Sequence, residues 1–180
     1  MTNPFLLPDG NVLVSVSGGR TSGYMLHQIL EANGGLRDNV IVAFANTGRE
    51  MPGTINFVKE MQKRWGVNIR WLEYRKQKPK FEEVGHNSVS MDGKPFEELV
   101  DSKSANKFLP NQNMRFCTQE LKVKTIKRFL VSMGWKRWTN TVGIRADEQR
   151  RIKPSKDNRW ENWYPLADAS KAVSDVNFFW

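Results

Sequence analysis

The hydrophobic residues of the chain follow two spacings, a short continuous run typical of a strand and a wider spacing typical of a helix. Residues 11–17 contain four apolar side chains, Val12, Leu13, Val14 and Val16, and the run ends at two glycines. From residue 21 the apolar positions recur at helical spacing as far as the Asn-Gly-Gly sequence of 33–35, which is typical of a helix end. The pattern predicts a strand followed by a helix.

The same order recurs further along the chain. Residues 40–44 form a continuous apolar run that suits a strand buried on both faces, and residues 52–65 have helical spacing with a proline at the start. A strand is predicted at 67–72, a helix at 118–133 and a strand at 138–142. Alternating strands and helices predict an α/β fold that is three-layered and doubly wound, with a mainly parallel, Rossmann-like sheet.

The remaining segments are less regular. Residues 75–113 show no clean period and contain several glycines and prolines, so we expect an insertion or lid with one short helix near 96–100. Residues 164–180 predict the start of another helix just before the sequence stops, and a truncated C-terminus is therefore expected. The length of 180 residues favours one domain spanning 1–180.

The turn between the first predicted strand and helix has the composition of a phosphate-binding site. A helix start leaves backbone N–H groups without partners, glycines let phosphate oxygens approach the main chain, and small hydroxyls add donors. The spacing is neither GxxxxGK[ST] nor GxGxxG, and a plain glycine turn is the alternative explanation. The turn consists of Ser17, Gly18, Gly19, Arg20, Thr21 and Ser22.

Three further segments have matching character at places where the strand ends of an open sheet converge. Residues 46–50 follow the second strand, residues 115–122 open the later helix, and residues 143–151 follow the last predicted strand. The last segment has three arginines, whose guanidinium groups suit bidentate contacts to phosphate or sulfate. The candidate binding residues outside the turn are Ser15, Asn46, Thr47, Gly48, Arg115, Lys122, Gly143, Arg145, Glu148, Arg150 and Arg151.

The four segments resemble the PP-loop proteins, which form the adenine nucleotide alpha-hydrolase-like superfamily, and within it the phosphoadenosine phosphosulfate reductase family. The matching motifs are SGGxxS at 17–22, NTGxExPxT at 46–54, RxCT…K at 115–122 and GxRxxExxR at 143–151. The Tyr-Pro-Leu of 164–166, with Asp175 and Val176, is similar to the start of the family's PL…DV tail. The resemblance covers most of the chain, and four motifs in the right order are a stronger signal than any one of them.

The resemblance implies that the chain binds an adenine nucleotide, either ATP or phosphoadenosine phosphosulfate, and acts on its phosphate or sulfate end. Arg145 and Arg151 are the implied catalytic residues, and Cys117 is a third candidate. Arg20 and Thr21 stand where many PP-loop pyrophosphatases have Lys-Asp, so Mg²⁺ is a candidate cofactor that would lack one acidic ligand. The sequence also ends before any segment with the nucleophilic cysteine of the reductases.

Cys117 is the single cysteine of the chain, which excludes an internal disulfide and an iron–sulfur cluster. Its position beside Arg115 near a helix start favours a reactive thiol, and a half-buried structural cysteine is the alternative. His27 and His86 have no second histidine at ligand spacing, and the sequence predicts no metal site around them.

The formal net charge of +9 indicates an anionic partner. Part of the charge lies in the stretch from Arg64 to Lys80, which is a candidate contact for a nucleic acid, while a solvated basic face is the simpler explanation. No run approaches the roughly 18 to 20 apolar residues of a membrane-spanning helix, and the N-terminus lacks the order of a signal peptide. We therefore expect a cytoplasmic protein without a membrane partner, and a homo-oligomer is compatible with the sequence.

Three functions are compatible with these residues. The first is a reductase-like enzyme in which backbone amides and arginines neutralise charge on the phosphate or sulfate of a small-molecule nucleotide. The second is an ATP-dependent enzyme that modifies a nucleic acid by a thiolation-type reaction. The third is a module that binds an adenine nucleotide without catalysis.

Overall fold

The computed structural model describes residues 3–103 and 116–180. Its strands are β1 (Val12–Val16), β2 (Val40–Asn46), β3 (Ile69–Tyr74), β4 (Phe81–Val84), β5 (Trp138–Thr141) and β6 (Trp160–Trp163). Its α-helices are α1 (Arg20–Asn33), α2 (Pro52–Trp65), α3 (Lys94–Lys103), α4 (Thr125–Ser132), α5 (Pro165–Asp168) and α6 (Val173–Phe179). A π-helix over Thr118–Lys124 precedes α4, and a 3₁₀ helix over Ala146–Arg151 follows β5.

The strands form one six-stranded sheet in the order β4-β3-β2-β1-β5-β6. β1 runs parallel to β5, with Val14 opposite Thr141, and β5 runs parallel to β6, with Trp138 opposite Trp160. β4 pairs with β3 in the antiparallel direction. The later strands thus lie on both sides of β1, which confirms the predicted α/β fold with a doubly wound, mainly parallel sheet.

The chain divides into two compact units, and the expectation of a single domain over 1–180 stays a prediction. Unit 1 comprises Met1–Val42, Met61–Asn68 and Lys136–Trp180. Its largest fully buried side chains come from β1, α1 and α5. Helix α6 packs on α1, because the Phe179 ring lies 5.1 Å from that of Tyr24 and 4.8 Å from that of His27. Phe179 therefore packs on a helix, whereas its neighbour Phe178 is exposed.

Unit 2 comprises Ala43–Glu60 and Ile69–Trp135. Phe44 of β2 meets Trp71 of β3 edge to face, with the ring centroids 5.0 Å apart. Tyr74, Leu99 and Leu121 form a second buried cluster that joins β3, α3 and the π-helix. The core of this unit thus holds the ends of β2 and β3 and the start of the π-helix in place.

Two short strands and half of α3 were not predicted. The expected irregular insertion contains β4 and α3 in its described part, and α3 is longer than the predicted 96–100. β4 carries two glutamates that ion-pair across the hairpin, Glu83 with Arg70 and Glu82 with Arg75. The sequence pattern missed β4 because its two charged residues interrupt the apolar run, and it missed β6 because four residues are too few to show a period.

The predicted helix over 118–133 begins as a π-helix and continues as α4. The Thr125 hydroxyl donates a hydrogen bond of 2.8 Å to the carbonyl of Glu120, five residues earlier. This side-chain contact spans the same five residues as the backbone hydrogen bonds of a π-helix, which is often found at functional sites.

Across the two described stretches, no helix has both the length and the apolar character that crossing a bilayer requires.

Candidate functional site

The turn from β1 into α1 presents backbone N–H groups to solvent. Gly18 has a φ of +75°, and Gly19 caps the helix in an extended conformation. The first hydrogen bond of the helix runs from the Gly23 N–H to the Gly19 carbonyl at 3.1 Å. Within residues 3–103 and 116–180, the N–H groups of Gly18, Gly19, Arg20 and Thr21 have no hydrogen-bond acceptor. The turn therefore offers several unsatisfied donors close together, as an anion requires.

The hydroxyl of Ser22 fixes the shape of this turn. It accepts a hydrogen bond from the Ser17 N–H at 3.1 Å and donates one to the Gly19 carbonyl at 2.9 Å. It also lies 3.2 Å from the Ser17 hydroxyl. Ser22 is buried, whereas Ser17 is exposed and Thr21 half-buried. The Ser22 hydroxyl is thus used inside the turn, which leaves Ser17 and Thr21 as the accessible hydroxyls.

The segment after β5 packs against the first turn of α1. A β-carbon at Gly143 would lie 3.6 Å from the Cα of Ser22, so the chain passes close to the helix at this residue. The Arg145 Nη1 then donates a hydrogen bond of 3.3 Å to the Thr21 hydroxyl. The structure thus brings together two segments that are more than 120 residues apart, as the parallel pairing of β1 with β5 requires.

Two carboxylates hold the guanidinium of Arg145. Its Nε lies 2.9 Å from Asp147 Oδ1, and its Nη1 lies 3.2 Å from Glu148 Oε2. The other oxygen of Glu148 pairs with Arg151, so Glu148 links two of the predicted arginines, while Arg150 is exposed. The hydrogen bond to Asp147 raises the pKa of Arg145, and the same bond lowers the pKa of Asp147. Both groups therefore carry their charge at neutral pH.

A second group of candidate residues lies in unit 2. Asn46, the last residue of β2, is fully buried. In the turn that follows, the Thr47 hydroxyl and the Lys122 ammonium both donate to the same oxygen of Glu50, each at 3.1 Å. Glu50 was not among the predicted site residues, although the signal was present, because it lies inside the NTGxExPxT segment.

The neighbours of Gly48, in the same turn, leave no room for a β-carbon. The φ of Gly48 is +77°, and a β-carbon there would lie 2.6 Å from the Pro95 ring and 3.0 Å from the Cα of Gly93. A β-carbon would therefore collide with the segment before α3 in addition to straining the backbone. Thr47 and Lys122 thus meet at Glu50 in unit 2, in the turn that also carries Asn46 and Gly48.

The other candidates divide into three cases. Arg115 lies outside the described residues. Cys117 is half-buried and packs against the cluster of Tyr74, Leu99 and Leu121, an environment that suits a structural cysteine. Ser15 is half-buried in β1, with no contact that assigns it a role. Among the described side chains, no three of His, Cys, Asp or Glu are grouped as metal ligands, so the Mg²⁺ candidate has no ligand set there.

A doubly wound α/β sheet with exposed amides after its first strand defines a class of phosphate-binding proteins. The chain belongs to the phosphoadenosine phosphosulfate reductase domain family, whose sequence model matches residues 11–170. It is 30% identical over 161 residues to the uncharacterized nin region protein ORF290 of Escherichia phage lambda, and the match covers 82% of this chain. The chain spans about half of that relative, 52% of its length.

The fold is similar to that of a solved enzyme. The crystal structure of phosphoadenylyl-sulfate (PAPS) reductase from Candida auris, a phosphate complex, superposes with a TM-score of 0.61. The superposition covers 96% of this chain and 71% of that one, at 14% sequence identity. At this identity the likeness is one of fold.

The pairing of Asp147 with Arg145 predicts an acidic titration. We expect the Asp147 carboxyl to titrate below the ordinary aspartate value of about 3.9. Its contribution to stability is present above the unfolded-state pKa and is lost as the pH falls through the lower folded-state pKa. A pH titration followed by carboxyl ¹³C NMR gives the pKa of Asp147 in the folded and in the unfolded protein.

The variant Arg145→Ala should return the pKa of Asp147 to its ordinary range. Asp175 is an internal control, because the N–H of Ala172 is the main cause of its lowered pKa. A low Asp147 pKa that persists in Arg145→Ala would contradict this assignment.

Proposed function

We propose that the protein binds an adenine nucleotide, phosphoadenosine phosphosulfate or ATP, by its phosphate or sulfate end and acts on that end. The observation that carries this proposal is the set of unsatisfied N–H groups at Gly18–Thr21 beside the guanidinium of Arg145. Fixed amides and a guanidinium are the donors that stabilise charge developing on a transferring phosphoryl or sulfuryl group. Family membership supports the choice of an adenine nucleotide.

Arg145 has to exchange one of its carboxylate partners when the ligand binds. In the free protein Asp147 and Glu148 occupy the guanidinium of Arg145. An incoming phosphate is expected to take the place of Asp147, which is the more exposed of the two carboxylates, with 38% of its side chain accessible against 18% for Glu148. Glu148 would then keep Arg145 and Arg151 oriented toward the bound anion.

The products distinguish the two nucleotides. Cleavage of ATP at the α-phosphate would release pyrophosphate and leave an adenylated acceptor. Action on phosphoadenosine phosphosulfate would release adenosine bisphosphate and, if the sulfate is reduced, sulfite. Tight binding without any of these products would instead favour a nucleotide-binding module.

Replacement of Arg145 tests the proposal directly. Loss of one charge-assisted contact costs about 1.5 to 3 kcal/mol, so Arg145→Ala should weaken nucleotide binding by about 10- to 150-fold. Isothermal titration calorimetry gives the affinity, and product analysis in the same samples gives the turnover. Arg137→Ala is the matched control, because Arg137 is exposed and precedes the other end of β5. Equal affinity in the Arg145 and Arg137 variants would refute the role of Arg145.

Gly19 provides a test that leaves the charge unchanged. A β-carbon there would meet only the Ser17 hydroxyl, at 3.6 Å, so Gly19→Ala should fold with a stability within about 0.5 kcal/mol of the parent. The same β-carbon would stand among the exposed amides, and we expect the nucleotide affinity to fall by about tenfold or more.

The control for this variant is Gly85→Ala. Its β-carbon would also meet a serine hydroxyl, that of Ser88 at 3.5 Å, in an exposed turn of unit 2. Thermal unfolding establishes that each variant is folded before its affinity is compared. A folded Gly19→Ala protein with the affinity of the parent would place the phosphate elsewhere.

A nucleic-acid acceptor is the second candidate function. Within the basic stretch, Arg70 and Arg75 pair with glutamates, so these two cations are already partly neutralised. Lys76, Lys78 and Lys80 remain in the β3–β4 turn, where their side chains are exposed and their ammonium groups have no carboxylate partner among the described residues. These three lysines support a contact with a phosphate backbone.

This second candidate predicts salt-sensitive retention of a random single-stranded oligonucleotide. Replacing Lys76, Lys78 and Lys80 by alanine should reduce the slope of log affinity against log salt by about 2, at roughly 0.7 for each phosphate contact. A triple variant with the same loss of charge, at Lys136, Lys153 and Lys156, is the control. Weak binding that does not depend on salt would exclude this candidate.

A further inference from the structure

Glu73 in β3 is a carboxylate without any solvent exposure. It belongs to none of the four motifs that identify the family, and its position near the end of a buried strand is unusual for an acidic residue. Removal of a carboxylate from water costs several kcal/mol unless hydrogen bonds replace the lost solvation. The hydrogen-bond donors that surround Glu73 therefore indicate its role in the structure.

Both oxygens of Glu73 are occupied by donors from distant parts of unit 2. Oε1 accepts hydrogen bonds from Asn46 Nδ2 and from the Ser90 N–H, each at 2.7 Å. Oε2 accepts hydrogen bonds from the Ser90 hydroxyl and from Arg75 Nη2, each at 2.8 Å. One carboxylate thus joins the end of β2, the segment before α3 and the end of β3.

The side-chain amide of Asn46 is oriented by this arrangement. Its nitrogen donates one hydrogen bond to Glu73 and a second, of 2.8 Å, to the Ser90 carbonyl. The positions of the nitrogen and the oxygen are therefore determined by their surroundings. Within the described residues the buried Oδ1 of Asn46 has no donor, which is an energetic cost that a residue with only a packing role would avoid.

Asn46 is also the base of the turn 46–50, which carries Thr47, Gly48 and Glu50. Among the described residues, this turn also meets Gly93 through the close approach of Gly48, and Arg49 forms an exposed ion pair with Glu97 of α3. An exposed ion pair contributes little, about 0 to 1 kcal/mol. The buried contacts among Glu73, Asn46 and Ser90 are therefore the main polar link between the turn and the segment before α3.

We propose that Glu73 is a positioning residue, which holds the turn 46–50 and the segment 90–93 in one arrangement before a nucleotide binds. The turn is thereby preorganised, and the ligand does not have to order it. The link to nucleotide affinity rests on the proposed function, whereas the ordering of the two segments does not.

The test compares Glu73→Gln with Glu82→Gln. The first variant replaces one acceptor oxygen by a donor that faces other donors. The second removes only the exposed partner of Arg75 and leaves the contacts of Asn46 and Ser90 intact. Amide hydrogen exchange is measured for both at a temperature where calorimetry shows each protein to be folded, and nucleotide affinity is measured in parallel.

We expect faster exchange confined to 46–50 and 90–93, with an affinity loss of about tenfold, in Glu73→Gln alone. Ser90→Ala, which removes one donor, should give a smaller change in the same two segments and serves if Glu73→Gln fails to fold. Exchange that rises uniformly along the chain, or that is unchanged in 46–50, would overturn the proposal. If the parent protein binds no nucleotide, the proposed function fails while the exchange measurement still decides the role of Glu73.

Discussion

The backbone N–H groups in the first turn of a helix have no acceptor within that helix, and the end of unit 1 that follows β1 is built around this constraint. The Ser22 hydroxyl satisfies the N–H of Ser17 and the carbonyl of Gly19, which closes the turn on itself. The N–H groups from Gly18 to Thr21 are left for a ligand. Gly18 makes the turn possible through its positive φ, and Arg145 brings a guanidinium group to the turn through its contact with Thr21. Any anion that binds there would complete a structure that is otherwise unsatisfied.

The charges around this turn are balanced in the free protein. Arg145 and Arg151 share Glu148, and Asp147 takes a further face of Arg145. Because these carboxylates already satisfy the guanidinium, binding of a phosphate is an exchange of one anionic partner for another. The net gain is then smaller than the full strength of an arginine–phosphate pair, and the affinity depends strongly on the backbone amides, for which no such competitor exists among the described residues.

Much of the fold could be predicted from the sequence, since periodicity is a local signal. The predicted helix 52–65 has the bounds of α2, and the turns after β1 and β2 lie where the glycines indicated. The site could be predicted only where its residues belong to motifs. Glu73 meets Asn46 across 27 residues and Ser90 across 17, and no local pattern reports such a meeting. The same limitation explains the missed pairing of Arg70 with Glu83, since the glutamate lies on a strand too short to be recognised.

In each unit a buried polar side chain fixes the position of neighbouring groups. In unit 1 a buried hydroxyl, that of Ser22, shapes a turn whose amides remain free, and in unit 2 a buried carboxylate, that of Glu73, orients an amide whose oxygen remains free among the described residues. The arrangement in unit 2 lowers stability, because the buried Oδ1 of Asn46 is left without a donor among the described residues, whereas the solvent-exposed amides in unit 1 cost little. Such a cost is reasonable where binding or reaction needs groups that are already in place, because preorganised dipoles do not have to reorient as charge develops. Preorganisation of this kind raises affinity as well as rate, because the ligand does not have to order the groups that bind it.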